Sequence, residues 1–273
     1  MKRIFLLLSA MLLAIGVTSA RAEDVAALLD RAIAGDHRPA EHRVRDVHRH
    51  PKETLLFFGL RPDMTVVEIW PSAGWYTDVL APVLRDRGRL YAARTAVSLE
   101  STPAVLKTRD QAFLARMAAR PDVFGKVVPS EILAPQVTEA APRGSVDMVL
   151  TFRNVHNWAK SGNADAMFQA FHALLKPGGM LGVEEHRARP GTSFEDQVRT
   201  GYMTEEFVIQ AAQRAGFRLA ERSEVNANPR DTRDHPRGVW TLPPTLALGA
   251  TDRDKYLAIG ESDRMTLRFR KPA

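Results

Sequence analysis

The sequence contains no cysteine. Disulfide scaffolds, thiolate metal sites and cysteine nucleophiles are therefore excluded. Long apolar runs are also scarce. The longest, Ile4 to Val17, has 14 residues, short of the roughly 20 that a membrane-crossing helix needs. Lys2 and Arg3 precede it and Ala20-Arg21-Ala22 follows as a small-x-small site, so residues 1–22 read as a secretory signal cut after Ala22. That places the mature chain in the periplasm or outside the cell, with no integral span after cleavage; an uncleaved leader would make it membrane-anchored. A strong excess of one charge is lacking too. The formal net charge is +6, and without Lys2, Arg3 and Arg21 it falls to +3, too little to expect nucleic acid as a partner. The remaining composition, 45% hydrophobic and 26% charged over 273 residues, excludes disorder and a multi-span membrane protein and allows a large core.

What is present is an alternation of strand and helix signals. Residues 24–34 carry Val25, Leu28, Leu29 and Ile33 on one helical face, with Asp24 as a candidate N-cap. Residues 36–51 are polar and rich in histidine (His37, His42, His48, His50), and Pro51 opens a short helix that ends at Gly59. These segments make an N-terminal helical extension, 23–60. Strands are expected at 65–70, 89–93, 126–128, 146–152, 180–184, 217–225 and 265–269, with helices at 76–84, 103–119, after Asn163 and after Thr204. The pattern predicts an α/β domain over 61–273, a Rossmann-like doubly wound sheet of seven strands with right-handed crossovers. Between the last two strands lies a polar, proline-rich insertion, 226–262, long enough to suggest a function.

In open α/β sheets ligands bind beyond the carboxyl ends of the strands, near the point where strand order reverses. The candidates are therefore Glu68 to Tyr76 after the first strand, Arg153 to Trp158 after the fourth, and Glu184 to Arg187 after the fifth. Three segments resemble class I S-adenosylmethionine-dependent methyltransferases: V-V-E-I-W-P-S-A-G-W at 66–75, D-M-V-L-T-F-R-N-V-H-N-W at 147–158 and L-K-P-G-G-M-L-G-V-E-E at 175–185. Y-M-T-E-E-F at 202–207 and A-G-F at 215–217 fit as well. The whole mature chain, including 226–244 and 260–265, resembles a group of exported bacterial proteins called predicted methyltransferases.

That resemblance implies a mostly parallel sheet with an antiparallel last strand, S-adenosylmethionine as cofactor and a small or medium-sized methyl acceptor. It assigns Glu68, Trp70, Ser72, Gly74, Glu100, Arg153 and Asn154 to the cofactor. Two features depart from the family pattern. Trp70, Ser72 and Gly74 stand where G-x-G-x-G is usual, and Arg94 stands near the carboxylate that takes the ribose hydroxyls. Arginine cannot accept a hydrogen bond, so Glu100 is the substitute expected.

Each candidate has a plainer alternative. Glu68 either binds the cofactor's amino acid end or orders the turn. His156, with Asn157, is the candidate for proton transfer, or else a hydrogen-bonded structural histidine. Glu184, Glu185 and His186 raise the question of a metal with His156, but strand neighbours point to opposite faces, and no metal is expected. Trp75 and Tyr76 line a pocket or pack the core. Asn226, Asn228, Arg230, His235 and Trp240, with Glu185 and His186, are the substrate or lid candidates. The alternative to a lid is a proline-stiffened loop whose polar groups satisfy one another. The alternative to an enzyme is a non-catalytic ligand-binding protein with an altered cofactor loop.

Overall fold

The computed structural model describes residues 25–273. The expected signal and the Asp24 cap lie outside these residues. Helix α1 covers 25–34. Two single-turn helices follow, α2 (Ala40–Arg43) and α3 (Asp46–Arg49), then α4 (Pro51–Phe58). The stretch 36–51 thus holds two helical turns within the extension expected. Its polar residues find partners on other elements, which a reading of local pattern does not register.

The strands are β1 (Thr65–Ile69), β2 (Arg89–Thr95), β3 (Val128–Ile132), β4 (Val146–Phe152), β5 (Leu175–His186), β6 (Arg218–Ser223) and β7 (Arg264–Arg270). They form one sheet in the order β3-β2-β1-β4-β5-β7-β6. β1 to β5 pair in parallel, and β7 runs antiparallel to both β5 and β6. This is the doubly wound seven-stranded sheet expected, with the last strand reversed. The helices after α4 are α5 (Thr77–Leu84), α6 (Ala104–Ala119), α7 (Pro121–Phe124), α8 (Val155–Lys160), α9 (Ala164–Leu174), α10 (Phe194–Thr200), α11 (Glu205–Arg214) and α12 (Arg253–Ile259). Of these, α7, α8, α10 and α12 are too short to show a clear apolar period, and the sequence reading passed over them. β3 lies further along than expected, because its V-P-S-E-I sequence carries little apolar signal.

Alternation along the strands sorts the core into two layers. Val67, Ile69, Val149, Leu181 and Val183 face α8, α9 and α11; Val66, Leu90, Met148 and Leu150 face α1, α4 and α5. Gly182 is required where α4 crosses β5: a Cβ there would lie 2.7 Å from Leu150 and 2.8 Å from Phe58. Strand order reverses between β1 and β4. No helix among the described residues is long and apolar enough to cross a membrane.

Candidate functional site

The turn after β1 sets the site. Trp70, Ser72 and Gly74 all adopt left-handed backbone, with φ of 48°, 54° and 83°. Only glycine enters that region without steric cost, so the backbone has the shape of a glycine loop while two of its three positions carry side chains. Trp70 is anchored: its indole N–H donates to the Ile132 carbonyl at 2.9 Å and its ring meets Trp158 edge-on. Gly74 is where α6 closes over the turn. A Cβ there would lie 2.7 Å from the Phe113 ring.

Two adjoining cavities open on this turn and share Trp70, Pro71, Ser72, Asn154 and Asn157. The outer one, about 360 Å³, reaches towards Arg94, Asp110 and Phe113. The inner one, about 240 Å³, reaches towards Glu68, Trp75, Tyr76 and Arg153. Together they are of a size that holds a small ligand.

Glu68 sits in the layer of Val66 and is 2% exposed. Thr77 donates its hydroxyl to the carboxyl at 2.6 Å. Burial pushes the Glu68 carboxyl up to about 8, against the hydrogen bond from Thr77. Asn154 uses its amide N–H groups on the Ile69 carbonyl (3.0 Å) and the Thr151 hydroxyl (3.2 Å), fastening the ends of β1 and β4 together. Arg153, at φ 59°, donates to Glu184 at 2.7 Å. Tyr76 donates to the same carboxylate at 3.0 Å and stacks on Phe152 with centroids 3.5 Å apart. Burial raises Glu184, but Arg153, Arg264 and Arg49 outweigh it and hold the carboxyl below its ordinary range.

Glu184 and Glu185 obey strand alternation. Glu185 turns to the opposite face and meets His156, whose Nδ1 donates to Oε1 at 3.0 Å. The Glu185 carboxylate also accepts the backbone N–H of His156 (3.2 Å) and folds back on that of His186 (2.8 Å). The His186 ring lies 5.4 Å from that of His156, and burial together with His156 and Arg153 lowers its pKa well below the usual value. Ligand atoms of His156, Glu185 and His186 fall within 4.8 Å of one another, the one such group among the described residues. His156 packs against Trp240 and lines neither cavity; Asn157 lines both. The early histidines do not converge: His37 and His42 bond to Asp78, and His50 reaches Asn226.

At the end of β2, Arg94 pairs with Asp110 of α6 and, at 3.7 Å, with Glu131. Glu100 is exposed and lines no cavity. Asp110 is the carboxylate on the outer cavity wall. It was missed, although Leu106, Asp110 and Phe113 form a helical stripe in which the acid is conspicuous. Also missed was Glu261, which takes Arg45 (2.6 Å), Arg49 (3.1 Å) and Arg264 (3.0 Å). No local spacing signals pairs more than 200 residues apart.

The 226–244 segment is fastened mainly to other parts of the fold, with Asp231 as its internal anchor. Asp231 accepts from Tyr202, from His235 and from two backbone N–H groups. Asn226 donates to Thr54 and Thr266, and Asn228 to two carbonyls at 259 and 261. Arg230 is exposed at the rim. The stretch 36–51 also lies against the turn after β1, tied down by Trp75 donating to the His42 carbonyl and by the Glu261 pairs.

No protein-family model matches the chain, and no curated protein matches it. Solved structures do. A SAM-dependent methyltransferase from Aquifex aeolicus superposes with a TM-score of 0.52 at 16% identity, over 83% of this chain and 92% of that one. The [4+2]-cyclase SpnF gives 0.55 at 16% identity, over 92% and 93%. An arsenic(III) S-adenosylmethionine methyltransferase from Chlamydomonas reinhardtii gives 0.51 at 14% identity, over 90% and 73%. At these identities the common property is the fold. The chain has the fold of the class I S-adenosylmethionine-dependent methyltransferases.

Proposed function

We propose that this protein binds S-adenosylmethionine across the two cavities and transfers its methyl group to a small acceptor outside the cytoplasm. The observation that carries the reading is the turn after β1. Three left-handed positions, 70, 72 and 74, stand beside a buried carboxyl at the switch point of the sheet. Such strain persists where the surroundings impose it, commonly at functional sites.

Bound there, the cofactor would supply an electrophilic methyl group on sulfur. Glu68 would hold its ammonium group, and Asn154 and Asn157 would fix its orientation. The 36–51 strap would exclude water. Methyl transfer gains mainly from proximity and orientation, so Asn157 on the cavity wall suffices to position an acceptor. His156, held by Glu185, shapes the loop that carries Asn157.

A second reading is a non-catalytic binding protein on this fold, favoured by the Trp70 indole between the cavities and by Arg94 at the end of β2. The similarity to a structure named as a cyclase is consistent with the fold serving other ends. Calorimetric titration of residues 23–273 with S-adenosylmethionine and S-adenosylhomocysteine decides. Micromolar binding that Glu68→Gln weakens at least about tenfold supports the enzyme reading; no binding at millimolar ligand sinks it.

A further inference from the structure

One ion network reaches the inner cavity at Arg153. Arg45 and Arg49 of the strap meet Glu261; Glu261 meets Arg264; Arg264 meets Glu184 at 3.3 Å; Glu184 meets Arg153. That is four guanidinium groups around two carboxylates. Arg49, Arg264, Glu184 and Glu261 are each at most 4% exposed.

Glu184 and Glu261 keep Arg153 charged against its burial, but the other neighbouring groups add no carboxylate to the network. Asp46, on the strap, is taken by Arg38. Tyr76 is held in its neutral phenol form, burial pushing its pKa well up. Burial with the adjacent Arg264 and Arg230 lowers His48 against the pull of Glu261, and His186 is lowered as well. Glu68, on the opposite side of the inner cavity, is raised by burial. Arg49 shows the consequence: burial, then the charge of Arg153, bring it down to about 9. A buried charge without a counter-charge costs several kcal/mol.

Arg153 is the network's member on the cavity wall. It gives one N–H to Glu184, and its remaining N–H groups have no acceptor among the described residues. Its backbone is left-handed, so the chain holds it there against local preference. Across the cavity Trp75 lies under the Arg49 guanidinium at 4.7 Å.

We propose that the inner cavity is an anion site, in which a carboxylate or phosphate group of the ligand binds Arg153 and neutralises the four-to-two arginine network. The group has two possible sources, the cofactor's own carboxylate or an anionic methyl acceptor. The site stands independently of the cofactor reading.

Titration of the mature chain with inorganic phosphate, against sodium chloride at matched ionic strength, tests it. Saturable millimolar binding is expected, weakened at least about tenfold in Arg153→Gln. Should that variant fail to fold, Arg45→Met removes one charge of the network without touching the cavity and weakens phosphate severalfold. No binding beyond that of chloride, or affinity unchanged in the variants, overturns the proposal. S-adenosylhomocysteine then separates the sources. Competition with phosphate assigns the site to the cofactor's carboxylate; simultaneous binding assigns it to the acceptor. Phosphate binding without S-adenosylhomocysteine binding leaves the anion site standing and removes the methyltransferase reading, and the converse removes the anion site alone.

Discussion

Ser72 and Glu68 show what single residues contribute to this site. Ser72 sits at φ 54° with no side-chain bond among the described residues to compensate for it. The left-handed region costs an L-residue roughly 1–2 kcal/mol, and glycine's extra unfolded-state entropy recovers only part of that difference. Ser72→Gly is therefore expected to stabilise the fold by up to about 1 kcal/mol, and Ser72→Ala to leave it unchanged, in urea unfolding. Glu68 sets a pH dependence. Its carboxyl is raised from 4.5 to about 8, so the native state keeps a proton that the unfolded chain has lost. Its contribution is full below the ordinary carboxyl range and is lost as pH rises towards 8. Glu68→Gln should flatten that decline in a series of melting curves. Binding of a cationic group beside Glu68 runs the other way and tightens as pH rises through the same range.

At the level of elements, α6 and the strap decide the shape of the cleft. Gly74 lets α6 lie on the turn, with Phe113 against it. Gly74→Ala adds both a left-handed alanine and a clash, and is expected to cost about 2 kcal/mol in equilibrium unfolding. Glu261 has the corresponding role for α2 and α3. Glu261→Gln leaves Arg45, Arg49 and Arg264 facing one another, and a loss of about 3 kcal/mol is expected, with amide exchange at 40–50 accelerating first. The sequence made these elements visible unevenly. β1, β4, α9 and the Thr204 cap were legible because their apolar periods and caps are local. The strand-end residues Glu68, Arg153, Asn154 and Asn157 followed from topology, since ligands sit beyond strand carboxyl ends. Asp110 and Glu261 did not follow. Glu261 pairs with Arg45 and Arg49 more than 200 residues away, and Asp110 with Arg94 across the β2–α6 connection, while the polar groups of 226–244 bond to Thr54, Tyr202 and Thr266, none of which leaves a periodic trace.

Across the described residues, the segment 25–58 and β7 are fastened together over the sheet. Val25, Leu29 and Ala32 of α1 enter the layer shared with Leu55, Phe58 and Val66. Arg264 reaches the His48 carbonyl and Arg268 the Phe57 carbonyl, at 2.8 Å in the second case. The N-terminal extension is thus part of the core rather than an appendage, which bears on where an export signal can be cut. Were residues 1–22 a secretory signal cut after Ala22, the described helix 25–34 would stay whole, and mass spectrometry of the processed protein would find Glu23 first. Removal of 25–50 has a different consequence. It strips apolar cover from β1 and β4 and leaves Glu261 without two of its three arginines. A chain of 51–273 is therefore expected to lose cooperative unfolding, with a broad calorimetric transition where 23–273 gives one sharp peak. A sharp transition in both chains would mean that the extension is only a cover, and that the sheet and its site are complete without it.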